Sequence, residues 1–229
     1  MKTSIKHIAI IPDGNRRWAR QKGLPVVEGH RYAADQVIPS LNDVIQEYGI
    51  PYCTFWALSP ENFKKRSSFE IKNLLWILEH FIKTRVSELN EKNIKMNIIG
   101  NTKELPSSLQ KQIEKAQQET IQNTGLTLTF AINYGGRDEM IRAIEKLRLN
   151  SSSTELTQEM LTQALDTSGL PDPDLIIRTG GEKRTSGFML WQSEYAEYSF
   201  VDTLFPDFSP KSLRACIEEF NHRNRRFGS

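Results

Sequence analysis

With 229 residues, 38% of them hydrophobic and 25% charged, the chain has the proportions of one soluble globular unit with length for a sizeable core. Thirty basic against twenty-eight acidic side chains leave a formal charge of +2, so net charge gives no ground for a polyanion such as nucleic acid, and any basic site must be local. Cys53, in the apolar run YCTFWAL, and Cys216, in a helical pattern, read as buried free thiols, which fits a reducing compartment.

The opening MKTSIKHIAII passes straight into a strand pattern with no h-region or cleavage site, and LLWILEHFI is broken by charge far short of the ~20 residues a membrane span needs. A cytoplasmic protein with no more than peripheral membrane contact is expected. In chain order, short apolar runs predict strands at 7–11, 52–57, 95–99, 126–133, 174–178 and 199–204. Helical spacing predicts helices at 33–48, where Pro39 should kink the helix or delay its start, and at 70–92, 105–123, 138–149, 157–166 and 210–221. Strands alternating with helices predict a single α/β domain over 1–229, with a largely parallel six-stranded sheet flanked by helices. The polar stretches NSSST at 150–154 and GLPDP at 169–173 are too short to be domain linkers.

The unusual residues follow the predicted strands: PDGNRRWAR at 12–20, SPENFKKR at 59–66, NYGGR at 133–137 and RTGGEKRTSG at 178–187. In a parallel sheet these strand ends share one edge, where open α/β folds bind ligands. Glycines there let backbone N–H groups approach an anion, Arg17, Arg178 and Arg184 offer forked donors to phosphate, and Ser59, Thr185 and Ser186 offer neutral ones. Asp13 among arginines makes most sense as a ligand of a hard cation such as Mg²⁺, which joins a carboxylate to substrate phosphates.

Each motif also has a plainer reading. RTGGEKRTSG reads as a solvated turn, DGNRRW as an Asp-Gly turn before a charged helix, SPENF as a helix cap formed by Ser59, and NYGG as a tight turn. Their shared edge is what favours phosphate binding. His30, after a glycine at a helix start, serves either a phosphate or a cap, while His7, His80 and His222 read as surface or helix-packing residues. No zinc spacing, Walker phosphate loop or dinucleotide fingerprint is present. The helix at 70–92 is apolar on more than one side, and Trp56, Leu58, Phe130, Trp191 and Phe200 lie in or near strands. Core packing explains most of this; the remainder suggests a hydrophobic tunnel between sheet and helices, hence a substrate with a diphosphate head and a hydrocarbon tail.

HIAIIPDGNRRWARQKGLPVVEGH, ALSPENF, LTLTFAINYGGR, DLIIRTGGEKRTSGFMLWQSEYAEYSF and RNRRFG together resemble the signature blocks of cis-prenyltransferases, the undecaprenyl diphosphate synthase family. The correspondence runs in order along nearly the whole chain. It implies a Mg²⁺-dependent homodimer that condenses isopentenyl diphosphate with an allylic diphosphate, commonly farnesyl diphosphate, into a Z-polyprenyl diphosphate such as undecaprenyl diphosphate. Such enzymes lack the DDxxD motif of trans-prenyltransferases, and none occurs here.

Carried over by motif, Asp13 is the metal-binding catalytic carboxylate, and Gly14, Asn15, Arg16, Arg17 and Trp18 cradle the allylic diphosphate with help from His30. Arg178, Arg184, Thr185 and Ser186 match the isopentenyl diphosphate site, with Glu197 as a second metal ligand. Ser59, Pro60, Glu61, Asn62 and Phe63 match a mobile loop over the reacting ends, with Lys65 and Arg66 sharing the place of one expected arginine. Asn62 occupies the position often given the proton-acceptor role, for which a neutral amide is a poor base. The tail Arg225–Gly228 resembles a terminal motif that approaches the partner subunit's site. Val26 stands where relatives have an arginine directed at the allylic diphosphate, leaving Arg16 or Arg20 to replace it; Phe63 replaces a tryptophan, Lys183 a histidine and Gly187 an asparagine. The alternatives are a short-chain Z-prenyl synthase with an early-blocked tunnel and a non-catalytic subunit of a heteromeric enzyme.

Overall fold

The computed structural model describes residues 3–150 and 155–223. Six strands, β1 (His7–Ile11), β2 (Tyr52–Leu58), β3 (Lys95–Ile99), β4 (Thr127–Ile132), β5 (Leu175–Arg178) and β6 (Glu197–Phe200), form one sheet in the order β3-β4-β2-β1-β5-β6. Every neighbouring pair is parallel, as expected. The chain leaves β1 towards one side of the sheet and returns at β5 on the other, so the carboxyl ends of β1 and β5 flank a topological switch point.

Alternate residues of each strand feed different clusters. Ile8 and Ile10 of β1 join the large core, together with α3 (Ile38–Glu47), α5 (Ser68–Glu91), α6 (Ser107–Glu119) and α9 (Pro210–His222). Ala9 and Ile11 pack in a smaller cluster with Tyr134, Ile176, Phe188 and Met189. A third group joins α7 (Gly136–Asn150) to α8 (Gln158–Ala164), and Trp191 packs there rather than in a tunnel.

Segment 12–32 differs from expectation. It holds two helices, α1 (Asn15–Gln21) and α2 (Val26–Tyr32), so His30 lies inside α2 rather than at a helix start. Gly29 explains the packing: a Cβ there would lie 2.2 Å from the Asn15 carbonyl oxygen, so only glycine lets α2 cross the start of α1. From α2 the chain continues through a π-helical segment, Ala33–Val37, into α3, with Pro39 in its first turn. Proline cannot donate to the carbonyl of residue 35, and that carbonyl accepts instead from Arg85 Nη2 of α5 at 2.8 Å. The disturbance predicted at Pro39 thus takes the form of a π-helical segment whose freed carbonyl is met by Arg85. SPENFKKR forms a short helix, α4 (Pro60–Lys65), capped by Ser59, whose Oγ accepts from the Asn62 N–H at 3.1 Å. The last strand ends at Phe200 rather than 204, because Val201 and Thr203 carbonyls turn to accept from Gly181 and Gly180.

His7 is a buried sheet residue, not a surface or helix-packing one. Its Nδ1 lies 2.7 Å from the Pro171 carbonyl and so donates, while Nε2, 2.8 Å from Thr54 Oγ1, accepts. Burial pushes its pKa down to about 4, the Pro171 bond and Asp174 only partly opposing this. The unfolded chain therefore binds a proton that the folded one refuses as pH falls from the ordinary histidine value towards 4. Urea titrations should show His7 lowering stability with falling pH in that window, by up to ~1.4 kcal/mol per pH unit. His7→Gln should flatten that slope; an unchanged slope would assign the proton elsewhere. Gly29→Ala should cost roughly 1–3 kcal/mol because the obstacle is backbone, whereas Gly49→Ala meets nothing within 4 Å and should cost only its left-handed strain.

Candidate active site

The centre of the site is set by register. Ile11 pairs with Arg178, which brings the residue two beyond the end of β1 against the last residue of β5. Arg178 Nη2 donates to Asp13 Oδ2 at 2.9 Å, and its Nη1 donates to the Arg184 carbonyl at 2.5 Å and Ser186 Oγ at 2.8 Å. With its side chain only 6% exposed, Arg178 ties the switch-point loop to Asp13. The Asp13 carbonyl accepts from Thr179 Oγ1 at 2.8 Å and from the Phe205 N–H at 3.0 Å, so its backbone is fixed too. Arg17 Nη2 donates to the Gly180 carbonyl at 2.8 Å and approaches Asp13 Oδ1 at 3.4 Å. Gly180, at φ 83°, leaves room for this arginine, whose Nη2 would lie 2.5 Å from a Cβ.

Beside this pair a recess of about 290 Å³ is bounded by Asp13, Gly14, Asn15, Arg16, Arg17, Arg20, His30 and Arg66. Arg16, Arg20 and Arg66 line this recess, whereas Val26, at the start of α2, is not among its lining residues. His30 is held neutral: burial, then the charges of Arg66 and Arg16, push its pKa down to about 3. His30 Nε2, Arg66 Nε and Asn15 Oδ1 are buried without a hydrogen-bond partner. Unsatisfied buried polar atoms are costly, and here they cluster where a ligand would meet them.

The recess opens into a cavity of about 880 Å³. Its polar mouth carries Asp13, Ser59, Pro60, Glu61, Asn62, Gly135, Gly136, Arg137, Arg178, Thr185 and Ser186. Its interior is apolar, with Ala33, Ala34 and Ile38 on one wall, Leu74, Leu75, Leu78 and Phe81 of α5 on another, and Phe55, Leu58, Phe130 and Ile132 from the sheet. The wide apolar face expected of α5 is this wall. The expected tunnel between sheet and helices is therefore present.

Several expected contacts fall elsewhere. Trp18 faces away from both cavities: its Nε1 donates to Asp207 Oδ1 at 2.8 Å and its ring stacks on Tyr32 at 5.1 Å. Arg184 contributes its carbonyl to Arg178 while its exposed guanidinium pairs with Glu182. Lys65 pairs outward with Glu61 at 2.6 Å, and Phe63 packs on the large core. Glu197 is not brought to Asp13 within the chain: it opens β6 at the level of Leu175, three residues, or about 10 Å, below the rim at Arg178. There it accepts from Arg223 Nη1 at 2.9 Å. The terminal Arg225–Gly228 lies outside the described residues. Arg137, which stands in NYGGR beside the glycines, also lines the cavity and was missed.

Among the described residues no three or more His, Cys, Asp or Glu side chains group into a metal cage. Asp13 supplies one carboxylate whose Oδ1 is only loosely engaged, which fits a cation that brings its remaining oxygens from a phosphate substrate.

Comparison with known proteins agrees with this geometry. The family model described as "Putative undecaprenyl diphosphate synthase" matches residues 11–228. An isoprenyl transferase of Agrobacterium fabrum is 43% identical over 98% of this chain and 92% of its own length. The ditrans,polycis-undecaprenyl-diphosphate synthase ((2E,6E)-farnesyl-diphosphate specific) of Micrococcus luteus is 41% identical over 97% of this chain and 91% of its own. The crystal structure of lavandulyl diphosphate synthase from Lavandula x intermedia, in complex with dimethylallyl diphosphate, superposes with a TM-score of 0.93 at 34% identity, covering 99% of each chain. A cationic rim over an apolar cavity, in a chain matched from end to end by these proteins, makes this chain a member of the undecaprenyl diphosphate synthase family of cis-prenyltransferases.

Proposed function

We propose that the chain condenses isopentenyl diphosphate with an allylic diphosphate, farnesyl diphosphate being the primer named for the Micrococcus relative, to give a Z-polyprenyl diphosphate and free diphosphate. The observation that carries this is the junction of the arginine-lined recess with the apolar cavity. A head group with two phosphates fits the recess, and a hydrocarbon chain fits the space between α5 and the sheet.

In that reaction the allylic C1–O bond breaks and its electron pair leaves with the diphosphate. Arg16, Arg17, Arg20 and Arg66 stabilise the charge that grows there, and neutral His30 offers a ring nitrogen without adding to the cationic repulsion. Isopentenyl diphosphate, held at Arg178, Thr185 and Ser186, supplies the double-bond electrons to C1, and a proton then leaves its C2. Asn62, in α4 at the cavity mouth, orients the groups there; a diphosphate oxygen is the stronger base. Mg²⁺, held by Asp13 and diphosphate oxygens, would neutralise leaving-group charge.

A homodimer is supported by Ile141, Ile144 and Leu149 exposed on α7 and by Tyr195, 74% exposed beside the open edge strand β6. A cytoplasmic location is supported by two buried free thiols; among the described residues no helix is long and apolar enough to cross a membrane.

One observation favours a shorter product. Phe55 and Phe130 stack at 6.1 Å and Phe81 meets Phe130 edge-on at 5.2 Å. Phe55 lies three residues before Leu58, about 10 Å below the rim, and the next core-facing residue of β2, Cys53, no longer lines the cavity. These three rings form its floor.

Purified protein given Mg²⁺, labelled isopentenyl diphosphate and allylic diphosphates of several lengths should incorporate label into chains longer than the primer. No incorporation with any primer would point to a non-catalytic subunit. Asp13→Ala should lower turnover by at least about a hundredfold with an unchanged circular dichroism spectrum. Phe81→Ala should shift the dephosphorylated products to greater length on reverse-phase plates, whereas an unchanged distribution would place the length limit outside the three rings.

A further inference from the structure

Glu70 has no assigned part in the chemistry and does not line the recess, yet it pairs with two arginines that do. It occupies the first turn of α5, three residues after Ser67, which caps that helix. Ser-x-x-Glu at a helix start is the capping-box pattern, in which the glutamate returns a bond to the cap N–H. Only half of the box is made here. Ser67 Oγ accepts from the Glu70 N–H at 3.2 Å, but among the described residues no bond returns from the Ser67 N–H to the Glu70 carboxylate. That carboxylate turns instead between two arginines, with Oε1 3.3 Å from Arg66 Nη1 and 3.6 Å from Arg16 Nε.

These are ion-pair contacts, and Glu70 Oε1 is itself buried without an aligned hydrogen bond. Arg66 is only 14% exposed. Burial pulls its pKa below the usual guanidinium value, Glu70 pulls it up and Arg16 pulls it down again. A cation that buried, beside a second cation, swings to solvent unless a carboxylate holds it. Arg16 comes from α1, Arg66 from the end of α4 and Glu70 from α5, so one side chain ties three elements around the recess. The buried, unpartnered Arg66 Nε and His30 Nε2 border that same recess.

We propose that Glu70 is the positioning residue of the allylic diphosphate pocket: it holds Arg16 and Arg66 side by side with their remaining donors open to the recess. This rests on the allylic assignment above and adds to it the group that fixes the arginines. Glu70 binds no phosphate itself. The isopentenyl site at Arg178, Thr185 and Ser186 does not touch it, so its effect is confined to one substrate.

Glu70→Gln keeps the shape and the backbone half of the cap, and removes the charge. The KM for farnesyl diphosphate should rise roughly tenfold, the scale of one displaced charged contact, while the KM for isopentenyl diphosphate changes less than about twofold. Calorimetric titration with farnesyl thiodiphosphate, which resists ionisation, should show the same roughly tenfold loss in Kd. Glu70→Asp should recover part of it, and adding Glu70→Gln to Arg66→Ala should cost clearly less than Glu70→Gln costs alone, only the Arg16 contact being left to lose. An unchanged or tighter Kd, equal rises in both KM values, or additive losses would overturn the proposal. If the wild-type protein binds the thio analogue but incorporates no isopentenyl unit, the condensation assignment fails while the titration still decides Glu70. If the wild-type protein does not bind the analogue, both fail.

Discussion

The contact between Arg178 and Asp13 is the constraint on which the rest of the site depends. It joins the carboxyl ends of two strands, β1 and β5, that are adjacent in the sheet but 165 residues apart in sequence. Arg178 is nearly sealed from water, so its charge must be met within the protein, and three acceptors from two loops meet it. In satisfying its own buried cation the fold also places Ser186 and holds Asp13 with one oxygen loosely engaged. The pair is thus both a structural closure and the fixed edge of an anion site. The recess and the Thr185–Ser186 turn both border this pair.

A second constraint joins the polar edge to the apolar interior. The cavity needs a wall that is neither sheet nor solvent, and the continuous run from α2 through the π segment to α3 provides it with Ala33, Ala34 and Ile38. Pro39 removes a helical hydrogen bond, and Arg85 of α5 supplies the missing donor to the carbonyl of residue 35. The small-residue wall is therefore pinned to the opposite, leucine-rich wall by one bond. Width between the walls is held by a polar contact outside the cavity, which leaves its lining free to be wholly apolar.

The fold was largely legible in the sequence because period and composition report burial directly. Five of the predicted strands overlap observed ones almost fully, and the wide apolar face at 70–92 marked the cavity wall. The site was legible where function requires backbone approach, at PDGN, NYGG and RTGG, since glycine leaves a visible mark. Side-chain direction was not legible. Trp18 shares a motif with Arg17 but turns to Asp207, and Glu197 shares a motif with Arg178 but sits at the other end of its strand. Helix α1 was legible only as the charged helix start of DGNRRW, and α2 only as a helix start near His30, because their packing depends on one close approach at Gly29 rather than on an apolar stripe. His7 was misread because a histidine in an apolar strand carries no sign of its partners, which come from Thr54 and Pro171.

The buried polar atoms left without partners are not spread evenly. Of the ten found among the described residues, Asn15 Oδ1, His30 Nε2 and Arg66 Nε belong to residues lining the recess, Glu70 Oε1 to the partner of two of its arginines, and Arg178 Nε to the pair beside it. Each such atom costs roughly 1–3 kcal/mol when no ligand meets it, a cost the large core must offset. Filling the recess with bonds internal to the protein would raise stability and remove the donors a diphosphate needs. The arginines illustrate the compromise: with no counterion they would leave the recess, and with a fully bonded one they would have nothing left to offer. The long, poorly aligned ion pairs from Arg16 and Arg66 to Glu70 lie between those limits, holding the cations in place without using up their hydrogen bonds.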